Sequence, residues 1–284
     1  MARGRVGDVR VTLVSQNVQF GAQGSRWKGL SAQIRELEPD LVLLQEVDWL
    51  ADPDAAREAG RALGMELVVA PSRNLPVAIG WNPSRFAVAG METKYWQDLH
   101  HGYAAARLDV LGLGEPLPAP LVVISTHLTP YSAQTASQEA QLLIARAYRY
   151  QALGIIGGDI NHPPVGDPEP AWEQIQPYNR AARCVRRSEP DDPWRADTIV
   201  GQVFFDGDMT DVAGHLADTR GEPALRRATG KAGGIRVDQV HVTPALRPAI
   251  EEYEVVETDY SDHRGLRVVF DFARVDRARL REYS

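Results

Sequence analysis

Ten short apolar runs, each closed by turn residues, recur from one end of this 284-residue chain to the other. They lie at Val9–Val18, Leu41–Gln45, Glu66–Ala70, Val77–Trp81, Phe86–Met91, Tyr103–Val110, Leu121–Thr126, Gly154–Gly158, Ile235–Val242 and Leu266–Phe272. Their length and content of Val, Ile, Leu and aromatic residues predict β-strands. Helical spacing is expected only at Trp27–Leu37, Pro53–Leu63 and Ser132–Ala152; in the last, Ala136, Ala140, Leu143, Ala147 and Tyr150 share one face. Pro39 ends the first helix and leads into a strand. Several strands therefore follow one another with no helix between them. A parallel pair needs a crossover of a dozen residues or more, so this order predicts two mostly antiparallel or mixed sheets packed together with helices outside, and not a doubly wound parallel sheet.

One segment stands apart. Pro163–Asp197 is rich in proline, charge and tryptophan, with a short helical stretch near Ala171–Ala182. The strand pattern resumes after it, so it reads as a loop or lid inserted at about 163–197 into a single domain spanning 1–284. Hydrophobic residues make up 44% and charged residues 24%, the balance of a globular chain. No apolar run is long enough to span a bilayer, and the basic start Met1–Arg5 has no apolar stretch behind it, so neither membrane attachment nor secretion is expected. A single cysteine, Cys184, excludes an internal disulfide and suits a reducing, cytoplasmic setting. The formal net charge of −7 opposes tight non-specific binding to long nucleic acids, although carboxylates gathered around a metal would contribute to that excess.

Polar residues able to bind metal or phosphate sit repeatedly at strand ends: Asn17, Glu46, His127, Asp159 with Asn161, Asp238, and Asp262 with His263 just before the last strand. Each alone is an ordinary turn residue. Together they form a set of hard oxygen donors, amides and two histidines without thiols, which suits Mg²⁺ rather than Zn²⁺.

The same residues carry a resemblance. Asn17, then Pro39-Asp40-Leu41-Val42-Leu43-Leu44-Gln45-Glu46, Thr126-His127, Gly158-Asp159-Ile160-Asn161, Asp238 and Ser261-Asp262-His263 follow, in order and spacing, the motifs of the endonuclease/exonuclease/phosphatase superfamily. The resemblance runs from about Val9 to Phe272. It implies a four-layer α/β (α+β) sandwich of the DNase I-like type and Mg²⁺-dependent hydrolysis of a phosphoester, with Mn²⁺ as a substitute and one or two ions left open. It further implies that Glu46, Asn17 and Asp262 hold the metal and that Asp159 orients or deprotonates water. Asn161 would hold a phosphate oxygen. His263 would contact the scissile phosphate with its ring fixed by Asp238, and His127 would be a phosphate ligand or general acid. Asp211 would be a structural turn residue.

Phosphoryl hydrolysis needs an aligned nucleophile, neutralised oxygens and help for the leaving group, and this set supplies all three. Weaker candidates for substrate contact are Arg107, Tyr131, Trp194, Lys231 and Arg236, each of which also reads as an ordinary surface or packing residue. Arg183, Arg186 and Arg187 near Trp172, Tyr178 and Trp194 form one basic stretch, read as a solvated loop face. Arg226, Arg227, Lys231 and Arg236 form another. Arginines beside aromatics suit a nucleic-acid phosphodiester. A small phosphorylated metabolite under the lid is the alternative, and a non-catalytic binding module a third. The motifs lack the marks of inositol-polyphosphate phosphatases, and no obligate protein partner is evident.

Overall fold

A computed structural model describes residues 9–24, 26–48, 52–231 and 233–281 of the chain. The basic start Met1–Arg5 lies outside the described residues. The first half runs β1 (Arg10–Asn17), a distorted turn α1 (Gln19–Ala22), α2 (Arg26–Glu36), β2 (Leu41–Gln45), α3 (Pro53–Leu63), β3 (Glu66–Val69), β4 (Ala78–Trp81), β5 (Phe86–Glu92), β6 (Tyr103–Val110) and β7 (Leu121–His127). The second half runs α4 (Ala133–Tyr148), β8 (Gly154–Asp159), α5 (Pro177–Arg183), α6 (Ile199–Asp206), β9 (Thr210–Asp211), α7 (Val212–Arg220), β10 (Asp238–Val242), β11 (Ile250–Val256) and β12 (Gly265–Asp271).

The strands form two six-stranded sheets, ordered β11-β12-β1-β2-β4-β3 and β5-β6-β7-β8-β10-β9. Each sheet holds one parallel pair, β1 with β2 and β7 with β8; the other pairings are antiparallel. The helix that a parallel connection requires is α2 in the first case and α4 in the second. Helix starts are locally encoded. Asp52 caps α3 through Asp54 N and Ala55 N with Pro53 in its first turn, and Ser132 caps α4 through Thr135 N.

Three apolar layers hold the stack together. Between the sheets lie Leu13, Leu43, Ile79, Val123, Ile155, Val240 and Phe270. Leu30, Ile34 and Leu63 of α2 and α3 cover the outside of the first sheet. Ala136, Ala140, Leu143 and Phe204 of α4 and α6 cover the outside of the second. The α/β sandwich of two mixed sheets flanked by helices is therefore the observed fold. Among the described residues no helix is long and apolar enough to cross a membrane.

Three expectations change. Ile235–Val237 does not join the strand that starts at Asp238; Ile235 and Val237 pack instead against Trp172 and Ile175 of the 163–197 segment. That segment has a small core of its own, with α5 and a bridge between Cys184 and Ala196. Strand β11 was not anticipated, nor were α6 and α7.

Arg236 is not a substrate contact. Its guanidinium is almost fully buried and is gripped by two carboxylates, Asp167 at 2.8 Å and Asp211 at 2.6 Å. Burial alone would raise the Asp211 pKa, but Arg236 outweighs it and holds the carboxyl at about 2. A folded-state pKa below the ordinary 3.8 contributes stability that is present above pH 4 and lost as pH falls through about 2. Asp211→Asn should therefore lose about 3 kcal/mol, because it leaves a buried guanidinium under-paired. Melting temperatures from pH 7 down to 2 check this: the variant should start lower, and its acid limb should be shallower than that of the native chain.

Candidate active site

Sheet register gathers the strand ends at one place. In the parallel pair β1/β2, Asn17 stands opposite Gln45, so Glu46 follows beside it. In the parallel pair β7/β8, His127 stands opposite Asp159. The antiparallel β10 starts with Asp238 opposite Asp159. Strand β12 runs back along β1, so the loop before it reaches the end of β1, where Ser261 Oγ donates to Asn17 O at 2.7 Å. Gly230 bridges His263 from the other side.

Asn17 sits at the centre, fully buried. Its Nδ2 donates to Glu46 Oε1 and to Asp159 Oδ2, each at 3.1 Å. Its Oδ1 accepts from Gln19 N at 2.9 Å, which fixes the amide orientation. Phe20 N donates to the other Glu46 oxygen at 3.0 Å. Around Asp159, His127 Nε2 lies 3.4 Å and His263 Nε2 3.8 Å from Oδ2. Asp159 Oδ1 accepts from Asn161 N at 3.0 Å. His263 Nδ1 donates to Asp238 Oδ2 at 2.8 Å.

Backbone strain concentrates here. Glu46 and Asn161 adopt left-handed φ values of 61° and 64°. Such conformations cost free energy in non-glycine residues and persist only where the surroundings enforce them. Gly158 is required for a different reason. Its φ is 144°, and a Cβ there would run into the Thr126 carbonyl of the neighbouring strand. Gly158→Ala should split β7 from β8 and cost about 3 kcal/mol or more; a thermal melt equal to the native chain's would contradict this.

The electrostatics divide the two histidines. Burial alone would lower the His263 pKa, but Asp238 and then Asp159 outweigh it and raise it to about 10. His263 is thus an imidazolium at neutral pH. His127 is the reverse case: burial, then His263, push it down to about 3. It stacks on His101 with ring centroids 3.8 Å apart, and two adjacent imidazoles do not both charge. His127 is therefore neutral and available as an N–H donor rather than as a proton store. Burial raises both Asp159 and Glu46 above the ordinary carboxylate range.

The donor chemistry suits a hard cation at Glu46. Its half-buried carboxylate receives two neutral N–H groups and forms no ion pair with a lysine or arginine among the described residues. An acidic pair with one member buried, Asp159, and the other half-buried and open to solvent, Glu46, suits a divalent ion with oxygen preference. Asp159, Asp238 and His263 form a tighter group, with one ligand atom each within 4.8 Å of the others. Two of those three are already an ion pair, and a protonated imidazole has no lone pair to offer at Nδ1 or Nε2, so Glu46 is the better cation ligand.

Beside this centre opens a cup of about 280 Å³, lined among others by Asn161, Tyr178, Arg183, Lys231, Asp262 and His263. Asp262 is exposed on its wall. Lys231 Nζ is tied to the carbonyls of Thr258 and Ser261 and braces the loop that carries Asp262. Tyr131 is 73% exposed and lines an adjoining groove with Trp194, whose ring lies under Arg187 and Arg180. Arg107 lies elsewhere: it pairs with Val122, five residues before His127, about 16 Å down the strand, and stacks on Tyr150. Sequence reasoning missed the supports: Ser261, Thr229 (which accepts from Asp238 N at 2.9 Å) and the buried Arg183. Only Ser261 carried a signal, as the first residue of its motif.

The profile of the Endonuclease/Exonuclease/phosphatase family matches residues 14–263. The chain belongs to this family. It is a member of a group of phosphoester-hydrolysing enzymes. No curated protein matches it. Among solved structures it is similar to D. rerio TDP2 complexed with single strand DNA product, at 16% identity and TM-score 0.61, covering 92% of this chain and 98% of that one. It is also similar to the 3′ phosphatase NExo from Neisseria bound to product DNA hairpin (16% identity, TM-score 0.61, 92% and 99% covered). A Bacteroides thetaiotaomicron mannosyl-6-phosphatase aligns as well, at 13% identity and TM-score 0.60, with 91% and 98% covered. At these identities the likeness speaks to the fold alone.

Proposed function

We propose that the chain is a cytoplasmic, Mg²⁺-dependent phosphodiesterase acting on nucleic acid, a single catalytic domain with residues 163–197 as its lid. One observation carries the reaction type: a single buried amide, Asn17, holds two carboxylates, Glu46 and Asp159, while the His263–Asp238 ion pair stands 3.8 Å from Asp159. Glu46, with Asn17 and Asp262 nearby, would hold the ion, which supplies Lewis-acid stabilisation to the phosphoryl oxygens when bound. Asp159 orients the attacking water and takes its proton; desolvation makes its carboxylate a stronger base. His263 presents a fixed cationic N–H to the phosphoryl group. Asn161 Nδ2 gives one hydrogen to Leu128 O at 2.9 Å and keeps the other for a phosphate oxygen. His127 adds a neutral donor.

The nucleic-acid half of the reading rests on the groove of about 340 Å³ beside the cup, where Arg180, Arg186, Arg187, Tyr131 and Trp194 meet. The three arginines of the second basic stretch are paired with Asp167, Asp211, Asp218 and Glu257, and its Lys231 is held by backbone carbonyls, whereas Arg180, Arg186 and Arg187 form no ion pair among the described residues. Arginine with open aromatic rings suits a flexible strand. The cup beside the acidic centre supports a second reading, a small phosphorylated metabolite held under the lid.

Turnover of single- and double-stranded DNA, RNA and a panel of small phosphoesters with Mg²⁺ separates the two. Three phosphate contacts predict an apparent KM that rises about 20-fold between 50 and 200 mM salt. Salt-insensitive turnover confined to a small phosphoester would select the second reading, and no turnover of any phosphoester would defeat both.

A further inference from the structure

Arg183 comes from the last turn of α5, inside the 163–197 segment, yet it is buried to 7% exposure. Its guanidinium reaches the site. Nη2 donates to Asn161 Oδ1 at 2.8 Å, Nε donates to Asn161 O at 2.5 Å, and Nη1 donates to Asn179 Oδ1 at 2.8 Å. Two of the three bonds therefore fall on one residue, across its backbone and its side chain. Asn161 is the residue held at a φ of 64° beside Asp159.

All three acceptors are neutral, and Arg183 has no ion pair among the described residues. Burying a guanidinium against neutral acceptors is a costly way to pin a loop. The small apolar core of Trp172, Ile175, Ile235 and Val237 already anchors this segment. The fork geometry matters more: two parallel N–H groups on a rigid plane fix a partner's orientation in a way that a lysine cannot.

We infer that Arg183 is a positioning residue that locks the Asn161 amide and couples it, through Asn179, to the wall of the cup. The amide Oδ1 is taken by Arg183, so Nδ2 must face Leu128 O and the cup. Without Arg183 the amide is held by the Leu128 carbonyl alone and can turn or flip, presenting oxygen to a phosphate, which repels it. Asn179 and Tyr178 line the cup beside Arg183, so a substrate that seats against them reaches Asn161 through one guanidinium. The catalytic part of this inference rests on the phosphoesterase reading above.

A double-mutant cycle tests it, with bis(4-nitrophenyl) phosphate and Mg²⁺ as the probe. Asn161→Ala should lower kcat about 100-fold or more. Arg183→Met should lower kcat about 30-fold, with KM changed less than threefold. The double variant should stay within threefold of Asn161→Ala alone, because the hydrogen bonds that Arg183 makes toward the site end on Asn161 and outweigh its through-space pull on Asp159. Arg183→Lys keeps the charge without the fork and should recover less than a tenth of the native rate; it also carries the test if Arg183→Met does not fold. Multiplying losses in the double variant, or native rates in Arg183→Lys, would overturn the inference. A second readout needs no turnover. The side-chain amide signals of Asn161, assigned by their loss in Asn161→Ala, should shift and broaden in Arg183→Met in a proton–nitrogen spectrum. Unchanged signals would overturn the positioning role. A native chain that hydrolyses nothing would instead count against the phosphoesterase reading, with the amide spectrum still deciding whether Arg183 holds Asn161.

Discussion

Asp159→Asn should lower kcat about 10³-fold while moving the melting temperature by only a few degrees. The loss in rate follows from the role: an amide is no base, and general-base removal costs about 10²- to 10⁴-fold. The stability follows from the surroundings. Asp159 is buried and its pKa is raised, so the folded state disfavours its charge at neutral pH. Asn is the same shape and removes the repulsion with Glu46, which offsets the one acceptor it loses toward Asn17 or Asn161. Thermal melts alongside single-turnover rates give both numbers. A large drop in melting temperature, or a rate within tenfold of native, would contradict the assignment.

His263→Ala should fail in a different way. It removes a cationic donor aimed at the phosphoryl group, worth about 10²- to 10³-fold in kcat. It also strands the Asp238 carboxylate, whose side chain is 2% exposed and which has His263 as its ion-pair partner. Breaking a buried pair from one side costs about 3 kcal/mol. Asp238→Asn in the same chain removes the stranded charge. The double variant should therefore regain most of the stability and none of the rate. Recovery of rate, or no stability loss in the single variant, would show that the pair does not act as imidazolium and carboxylate.

Much of this site was legible before the fold was known. A β-strand places its last side chain by register, and the motif residues stand at strand ends, so Asn17, Glu46, His127 and Asp159 converge once β1/β2 and β7/β8 pair in parallel. Apart from the early start expected for β10, the apolar interior strands match the sequence pattern to within one residue for the same reason, since buried strands are continuous in Val, Ile and Leu. Strand β11 escaped because it is an edge strand. Glu252 and Glu254 are exposed, and with the half-buried Glu251 they break its apolar pattern. Arginine roles were not legible at all. Arg183 and Arg186 are three residues apart with the same chemistry, but α5 turns one into the site and leaves the other on the surface. Arg236 looked like a substrate contact because it leads into the Asp238 strand, and only the approach of Asp167 and Asp211 shows it to be spent. Burial, not residue type, decides what an arginine does.

The central claim is that a hard divalent cation binds at Glu46 in the acidic centre bridged by Asn17. Titrating Mn²⁺ into the native chain and into Glu46→Gln, with free ion followed by electron paramagnetic resonance, tests it without reference to any substrate. The account predicts saturable binding to the native chain and at least a tenfold weaker affinity in the variant, whose fold is checked by its melt. Equal binding by both folded chains would contradict it.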